Sequence, residues 1–265
     1  MRQHTYPNTG NYMQTKTIFG IDVGGTNTKG AIVDLGKGEL ISERIKVPTP
    51  VPSKPEAVAK VVAELVRQAG YKGKLIGCGF PSIVKDGVCH SAANIDAEWK
   101  GVNINKLFSK IIGAKVITTN DADAAGLAEM RYGKGKNVKG NVLLVTIGTG
   151  LGTALFTDGI LVPNTEFGHC TLHNMIAEHY VSGTARKAEN MTWKEFGNRF
   201  NEFLEMVNRL TSPNLIILGG GISNFYRQFR KYLTVDTRVK AAKMFNHAGI
   251  IGAALYAYEK KAGKL

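Results

Sequence analysis

Short apolar runs alternate with stretches of helical periodicity along this chain. Runs typical of buried strands occupy residues 18–21, 142–145 and 215–218. Two further runs, at 74–78 and 115–119, have the same character. Because strands and helices follow one another in turn, the pattern predicts an α/β fold.

The helices are predicted from apolar spacing and from end signals. Ser53 is expected to cap a helix that carries Glu56 in its third position, and Thr192 with Glu195 has the spacing of a capping box. The alanine-rich run 122–130 favours a helix. The last helix is predicted over residues 248–261, where small side chains permit close packing.

Two of the apolar runs lead into glycine-rich turns and then into another strand. The first run ends at Asp22, and its turn contains Gly24, Gly25, Thr26, Asn27 and Lys29. The second turn contains Thr146, Gly148, Thr149 and Gly150. A Rossmann fingerprint would open a helix at this point, and the chain has no G-x-x-x-x-G-K-[ST] motif. Both common nucleotide-binding signatures are therefore excluded.

Backbone N–H groups in a glycine turn can approach an anion closely, because no Cβ stands in the way. Asp22, at the end of its strand, is the candidate Mg²⁺ ligand beside a phosphate. One such turn alone favours an ordinary hairpin. Two copies half a chain apart indicate two similar half-domains that face each other across a phosphate. A third cluster, formed by Gly219, Gly220 and Gly221 ahead of a helix, would suit a phosphate or a nucleotide.

Composition narrows the class of protein. With 265 residues, 43% hydrophobic and 21% charged, the chain can bury a substantial core. No apolar run reaches the length of a membrane span, and residues 1–17 lack a signal-peptide core, so a cytoplasmic protein with a loose polar tail is expected. The three cysteines are widely spaced and form no C-x-x-C pair, which favours free thiols and no zinc site.

The charge balance is unusual, since 34 Lys and Arg against 21 Asp and Glu give a net charge of +13. A charge of this size indicates a polyanionic partner such as nucleic acid, anionic lipid or a phosphate chain. A solvated basic surface without a function would account for it as well.

Several polar residues on loops could carry chemistry. Asp121, at a strand-to-helix junction, is the best candidate for a general base that accepts a hydroxyl proton, and it is equally suited to cap the helix. Glu166 and His169 lie in a glycine-containing loop, and Glu178 begins a short predicted helix. Asn94 and Asn120 are compatible with ordinary turn residues as well.

Taken together, residues 22–29, 120–131, 146–153, 166–169 and 219–223 resemble the sugar kinases of the ROK (repressor, open reading frame, kinase) family. The similarity is closest to the polyphosphate glucokinase branch and extends from residue 18 to the last helix. The runs N-D-A-D-A-A-G-L-A-E-M-R from Asn120 and T-I-G-T-G-L-G-T from Thr146 are its most specific parts.

The resemblance implies an actin-like, ribonuclease-H-like fold with two α/β lobes around a central cleft. The small lobe would comprise residues 18–121 and be completed by the C-terminal helix at 247–265, and the large lobe would comprise 122–246. Asp121 would be the catalytic base for the sugar 6-hydroxyl. The sugar hydroxyls would be held by Asn94, Asn120, Asp121, Glu166, His169 and Glu178. The family also suggests a homodimer, with Mg²⁺ and the phosphoryl donor at the glycine turns.

One departure from the family pattern is clear. Most members have a C-x-C-G-x-x-G-C zinc motif soon after the E-x-G-H stretch, whereas here Cys170 stands alone. His169 is then free to contact sugar rather than zinc. The polyphosphate branch is similar in lacking that motif. A polyphosphate donor would also account for the positive net charge of the chain. The candidate binding track for a phosphate chain is the basic set Arg131, Lys134, Lys136 and Lys139.

The leading hypothesis is therefore a kinase that transfers the terminal phosphoryl group of polyphosphate, and also of ATP, to glucose. The closest rival is an ATP-only hexokinase of the same family, acting on glucose or mannose. A sugar-responsive repressor would need a helix-turn-helix module, and residues 1–17 have no helical apolar pattern. A nucleic-acid-binding protein would explain the charge but not the two glycine turns, so neither nucleic acid nor a membrane is expected as a partner.

Overall fold

The computed structural model describes residues 17–265, so the predicted tail lies outside the described residues except for Thr17. The strands of this part of the chain are β1 (Thr17–Val23), β2 (Asn27–Asp34), β3 (Glu39–Leu40), β4 (Ile45–Pro48), β5 (Leu75–Phe80), β6 (Val84–Lys85), β7 (Val88–Cys89), β8 (Lys115–Asn120), β9 (Asn141–Ile147), β10 (Leu151–Thr157), β11 (Ile160–Val162), β12 (Thr171–Leu172), β13 (Met175–Ile176), β14 (Leu215–Gly219) and β15 (Val239–Ala241). The α-helices are α1 (Pro55–Gln68), α2 (Ile104–Ile112), α3 (Asp121–Tyr132), α4 (Ala177–Tyr180), α5 (Gly183–Ala188), α6 (Trp193–Thr211), α7 (Tyr226–Phe229) and α8 (Ala248–Lys261).

The two main sheets have the same organisation. The first has the order β3-β2-β1-β5-β8, with β4 also paired to β2, and the second has the order β11-β10-β9-β14-β15. In each, a hairpin around a glycine turn (β1–β2 or β9–β10) is extended by parallel strands. The sequence prediction of two similar α/β halves is confirmed by this topology.

Helices α3 and α8 lie between the two sheets and form the centre of the molecule. One hydrophobic cluster joins residues of both sheets to these helices, including Val33, Leu144 and Ile251. A second cluster lies where α1 and α2 cover the first sheet, and a third where α6 covers the second. The layers are therefore helices, sheet, helices, sheet and helix, and the central strands such as β5 and β14 are buried on both faces.

Close packing of α8 against α3 depends on small residues, as the sequence predicts. A Cβ added to Gly252 would lie 1.5 Å from the carbonyl oxygen of Ala124 in α3. The two helix axes can approach only because this position has no side chain. Since α3 begins at Asp121, the same contact fixes the helix that presents the candidate base.

The predicted helix ends agree with the structure in most places. Thr192 and Glu195 form the expected capping box of α6, and α8 spans the predicted residues. The prediction for Ser53 is wrong: Lys54 occupies the N-cap of α1 without a side-chain cap, and Pro55 begins the helix. The chain approaches α1 in an extended conformation, which the residue before Pro55 favours. The Ser53 side chain therefore does not reach the helix N-terminus and instead accepts a hydrogen bond from the backbone N–H of Asp96 (3.1 Å).

Candidate active site

A cleft of about 490 Å³ opens where the glycine turns of the two sheets face each other. Its volume is that of a typical small-molecule site. It is lined by the full set of residues predicted to hold sugar or donor: Asp22, Gly24, Gly25, Thr26, Asn27, Lys29, Asn94, Asn120, Asp121, Thr146, Gly148, Thr149, Gly150, Glu166, His169, Glu178, Gly219, Gly220 and Gly221. Residues separated by up to 199 positions in the sequence are thus collected in one place, while their individual roles stay predictions.

Asp121 is the first residue of α3, at the end of β8 and at the floor of the cleft. The helix is capped by Asn120 instead, whose Oδ1 accepts hydrogen bonds from the N–H groups of Ala122 (2.8 Å) and Asp123 (3.0 Å). The alternative role considered for Asp121, helix capping, is therefore taken by its neighbour. This leaves the Asp121 carboxylate facing the cleft, with one oxygen accepting the N–H of Ala122 (2.8 Å).

The environment of Asp121 raises the pKa of its carboxyl to about 7. Desolvation is the largest cause, followed by the negative charge of Asp22, with further contributions from Glu166 and Asp123. The N–H of Ala122 opposes these effects. A carboxylate with a pKa near 7 is a stronger proton acceptor than an ordinary aspartate, as a general base requires.

The acidic residues and His169 form a polar wall beside Asp121. Asn120 Nδ2 donates to Glu166 Oε1 (3.3 Å), and the imidazole nitrogens of His169 lie 3.8 Å from Glu166 Oε2 and 3.5 Å from Glu178 Oε1. Burial raises the pKa of Glu166, which His169 lowers and Glu178 raises further. Carboxylates, an amide and an imidazole in one wall provide both acceptors and donors, a combination suited to a ligand rich in hydroxyl groups.

The second glycine turn contacts this polar wall directly. Glu178 Oε2 accepts the N–H of Leu151 (3.2 Å), and a Cβ on Gly150 would lie 2.4 Å from the same oxygen. Asn94 lies between the two turns, since its backbone oxygen is 3.4 Å from a Cβ on Gly25 and its Nδ2 is 3.2 Å from one on Gly150. The candidate phosphate loops and the candidate sugar residues are therefore neighbours.

The third glycine cluster packs beneath the second turn. Gly220 has a φ of +76°, and a Cβ there would lie 2.5 Å from the backbone oxygen of Ile147. A short 3₁₀ turn, Gly221–Phe225, follows it. Only glycine allows the end of β14 to lie this close to the end of β9, which aligns both ends along the cleft.

Asp22 and Lys29 form the charged part of the first turn. Lys29 Nζ lies 3.2 Å from Asp22 Oδ2, and a Cβ on Gly249 at the start of α8 would lie 2.9 Å from the Asp22 carboxyl carbon. Across residues 17–265, no group of three or more His, Cys, Asp or Glu side chains is arranged to hold a metal ion. A single carboxylate fits the way in which proteins bind Mg²⁺ together with substrate phosphates and water.

The predicted polyphosphate track is not part of this cleft. Arg131 forms an ion pair with Glu259 of α8, and the N–H of Lys134 donates to Glu129 Oε2 (2.8 Å). Lys136 and Lys139 lie in the loop that precedes β9, whereas the glycine turn follows β9. At about 3.4 Å per residue, the seven residues of β9 place this loop roughly 20 Å from the turn.

Sequence reasoning missed several residues of the site. Ser82, Glu129 and Asn246 line the cleft, and Asp123 lies fully buried behind it. Ser82 follows β5, a strand parallel to β1 and β8, so its position at a strand end was a usable signal. Glu129 reads as an ordinary helix-surface residue in the sequence, and nothing near Asn246 distinguishes it.

The family can be decided by comparison with known proteins. A model of the ROK family matches residues 18–185, more than half of the chain. The chain belongs to the ROK family. The resemblance expected from the motifs is thereby confirmed, as is the two-lobed actin-like fold of ROK sugar kinases.

Individual ROK proteins are similar to nearly the whole chain. A polyphosphate glucokinase of Mycobacterium tuberculosis (strain CDC 1551 / Oshkosh) is 44% identical over 238 residues, which cover 89% of each chain. The crystal structure of an inorganic polyphosphate/ATP-glucomannokinase from Arthrobacter sp. strain KM matches with a TM-score of 0.91 and 43% identity, covering 93% of this chain and 100% of that one.

A more distant ROK structure shows the fold alone. A ROK family glucokinase of Streptomyces griseus, in complex with glucose and AMPPNP, matches with a TM-score of 0.81 at 24% identity, covering 92% of this chain and 100% of that one.

Among the described helices of the present chain, none has the length and apolar character needed to cross a bilayer.

Proposed function

We propose that this protein is a glucokinase that transfers the terminal phosphoryl group of inorganic polyphosphate, and also of ATP, to the 6-hydroxyl of glucose. The observation that carries this proposal is the position of Asp121. Its carboxylate, with a pKa of about 7, lines the same cleft as the polar wall of Glu166, His169 and Glu178 and the two glycine turns. The named activities of the Mycobacterium and Arthrobacter relatives support the sugar and the donor.

In this mechanism the wall of Glu166, His169 and Glu178 binds the sugar and orients its 6-hydroxyl toward Asp121. The oxygen of that hydroxyl forms a bond to the terminal phosphorus while the bond from phosphorus to the bridging oxygen breaks. Asp121 accepts the hydroxyl proton, and the shortened polyphosphate or ADP leaves with the bridging oxygen. Such transfers depend mainly on positioning and on charge stabilisation.

The donor phosphates would lie against the two glycine turns, with Lys29 beside them. Asp22 would hold Mg²⁺, which neutralises charge on the transferred group when bound. Asp22 also raises the pKa of Asp121. Neutralising Asp22 with a cation would lower that pKa, so cation binding and ionisation of the base support each other.

The proposal is tested by measuring glucose 6-phosphate formation in the presence of Mg²⁺. Polyphosphate and ATP are compared at matched phosphoryl concentration, with glucose and mannose as acceptors. Turnover with polyphosphate that weakens as salt rises is the expected result. Turnover with ATP alone would favour the rival ATP-dependent hexokinase, for which the Gly219–Gly221 cluster is the supporting feature. Turnover of neither sugar with either donor would contradict the proposal.

A further inference from the structure

A row of charged side chains crosses the first sheet at the mouth of the cleft. Asp22 on β1 is paired with Lys29 on β2, and Lys29 is paired in turn with Lys46 on β4. Residues directly opposite each other in neighbouring strands present their side chains on the same face. Lys46 therefore lies beside Lys29, one strand further from the centre of the cleft, and is exposed.

Arg44 extends this row just before the first residue of the edge strand β4. It stands two residues before Lys46, and its contact with the segment before α8 places its guanidinium on the face of the sheet that carries Lys29. The guanidinium Nη1 of Arg44 contacts the backbone oxygen of Asn246 (3.5 Å), a residue that lines the cleft. Lys29, Lys46 and Arg44 thus form a continuous cationic edge that leads from the first glycine turn to the protein surface.

The outer two cations of this edge carry charge that the described structure does not neutralise. Lys29 is paired with Asp22, but no described carboxylate oxygen lies within 4.0 Å of Arg44 or Lys46. Partial burial lowers the pKa of the His247 imidazole, and the positive charge of Arg44 lowers it further. Uncompensated cations beside a phosphate site attract anions, and this attraction is strongest at low salt.

We propose that Arg44 and Lys46 bind the phosphate units of a polyphosphate chain that extend beyond the transfer site. This inference rests on the proposed function and gives its donor a path. The chain would leave the glycine turn past Lys29 and follow the edge strand β4. The loop with Lys134 and Lys136, which the sequence favours as a track, lies at the other end of β9 and serves as the comparison.

The test is a comparison of two double variants that remove equal charge. Arg44→Gln/Lys46→Gln changes the proposed edge, and Lys134→Gln/Lys136→Gln changes the exposed loop. For each, KM is measured for long-chain and for short-chain polyphosphate at fixed glucose and Mg²⁺, with the melting temperature as a check on folding. The edge variant is expected to raise KM for the long chain about 3- to 30-fold, the effect of two surface charges. Its KM for the short chain and its KM for glucose should change less than twofold.

Each other outcome has a definite meaning. The proposed edge would be overturned if the edge variant changed KM equally for long and short chains, or changed neither. It would also be overturned if only the loop variant lost the preference for long chains. These outcomes would leave the kinase activity itself intact. Equal KM values per chain for long and short donors in the unmodified protein would overturn it as well. Absence of any polyphosphate turnover in the unmodified protein would overturn the proposed function together with this inference.

Discussion

Asp123 and Asn164 connect helix α3 to the loop that carries Glu166. Asp123 Oδ2 accepts the backbone N–H of Asn164 (2.8 Å). The side chain of Asn164 in turn accepts the N–H of Val84 (2.9 Å) and donates to its carbonyl oxygen (3.1 Å). The loop is thus fastened to α3 and to the β6–β7 hairpin at the same residue, two positions before Glu166.

Removal of the Asn164 side chain should weaken sugar binding. Asn164 has a φ of +57°, so Asn164→Gly keeps the backbone conformation and removes only the two hydrogen bonds to Val84. At about 0.5–1.5 kcal/mol for each of the two bonds, KM for glucose should rise about 5- to 160-fold. KM for the donor should change less than twofold. The matched control is Asn190→Gly, an exposed asparagine with a φ of +52°. A larger effect on the donor than on glucose would contradict the proposed role of this loop.

Asp123 should make the stability of the protein depend on pH. It is fully buried, its Oδ1 has no hydrogen-bond partner, and burial raises its pKa to about 7. Between pH 4 and pH 7 the unfolded chain has released a proton that the folded chain retains. The free energy of unfolding therefore falls as pH rises through this window and changes no further above it.

Asp123→Asn should reduce this pH dependence, because the substituted side chain does not titrate. Urea unfolding at several pH values between 4 and 8 measures it, with the exposed Asp236→Asn as the control. Part of the slope should remain in Asp123→Asn, since the raised pKa of Asp121 acts in the same direction. Equal slopes in the Asp123→Asn protein and the unmodified protein would show that Asp123 is not protonated in the folded state.

The contact between α3 and α8 should be intolerant of any side chain at Gly252. An alanine Cβ would overlap the backbone oxygen of Ala124, so Gly252→Ala must displace one helix. Overpacking of this kind costs about 1–3 kcal/mol or more. Gly79→Ala is the control, because its Cβ would meet its nearest neighbours at an ordinary 3.5 Å. Similar losses of unfolding free energy in the two variants would argue against the packing seen here.

The activity should depend on pH through Asp121. Because the base must be ionised, kcat/KM for glucose should rise about tenfold per pH unit below the pKa of Asp121, which lies at or below about 7, and level off above it. The presence of Mg²⁺ near Asp22 should move the midpoint to lower pH, since Asp22 is one cause of the raised pKa. A profile that is flat from pH 5 to pH 8 would contradict the assignment.

Much of the fold follows from local signals in the sequence. The apolar runs and the two glycine turns locate the paired hairpins, because strands and turns depend on neighbouring residues. The helix after Ser53 follows from its apolar spacing, whereas its N-cap does not, since Lys54 and the extended chain before Pro55 take that position. Asn120 was expected among the sugar-binding residues, whereas the structure also gives it the cap of α3.

The rest of the site depends on contacts between distant segments. Asp123 reads as a polar helix residue, and only its burial against residue 164 gives it a role. Arg44 and Lys46 are two cations among 34, and only the pairing of β4 with β2 sets Lys46 beside Lys29. The charges of the basic loop at 134–139 are adjacent in the sequence, but strand β9 separates this loop from the second glycine turn in space.

The most direct test of the central claim is the activity and glucose affinity of Asp121→Asn. This variant keeps the size of the side chain and removes the proton acceptor. We expect kcat to fall about 10²- to 10⁴-fold, while the dissociation constant for glucose, measured by calorimetry, changes only a few-fold. Asp236→Asn should retain full activity. A loss of kcat under tenfold in a folded Asp121→Asn protein would contradict the role of Asp121 as the base.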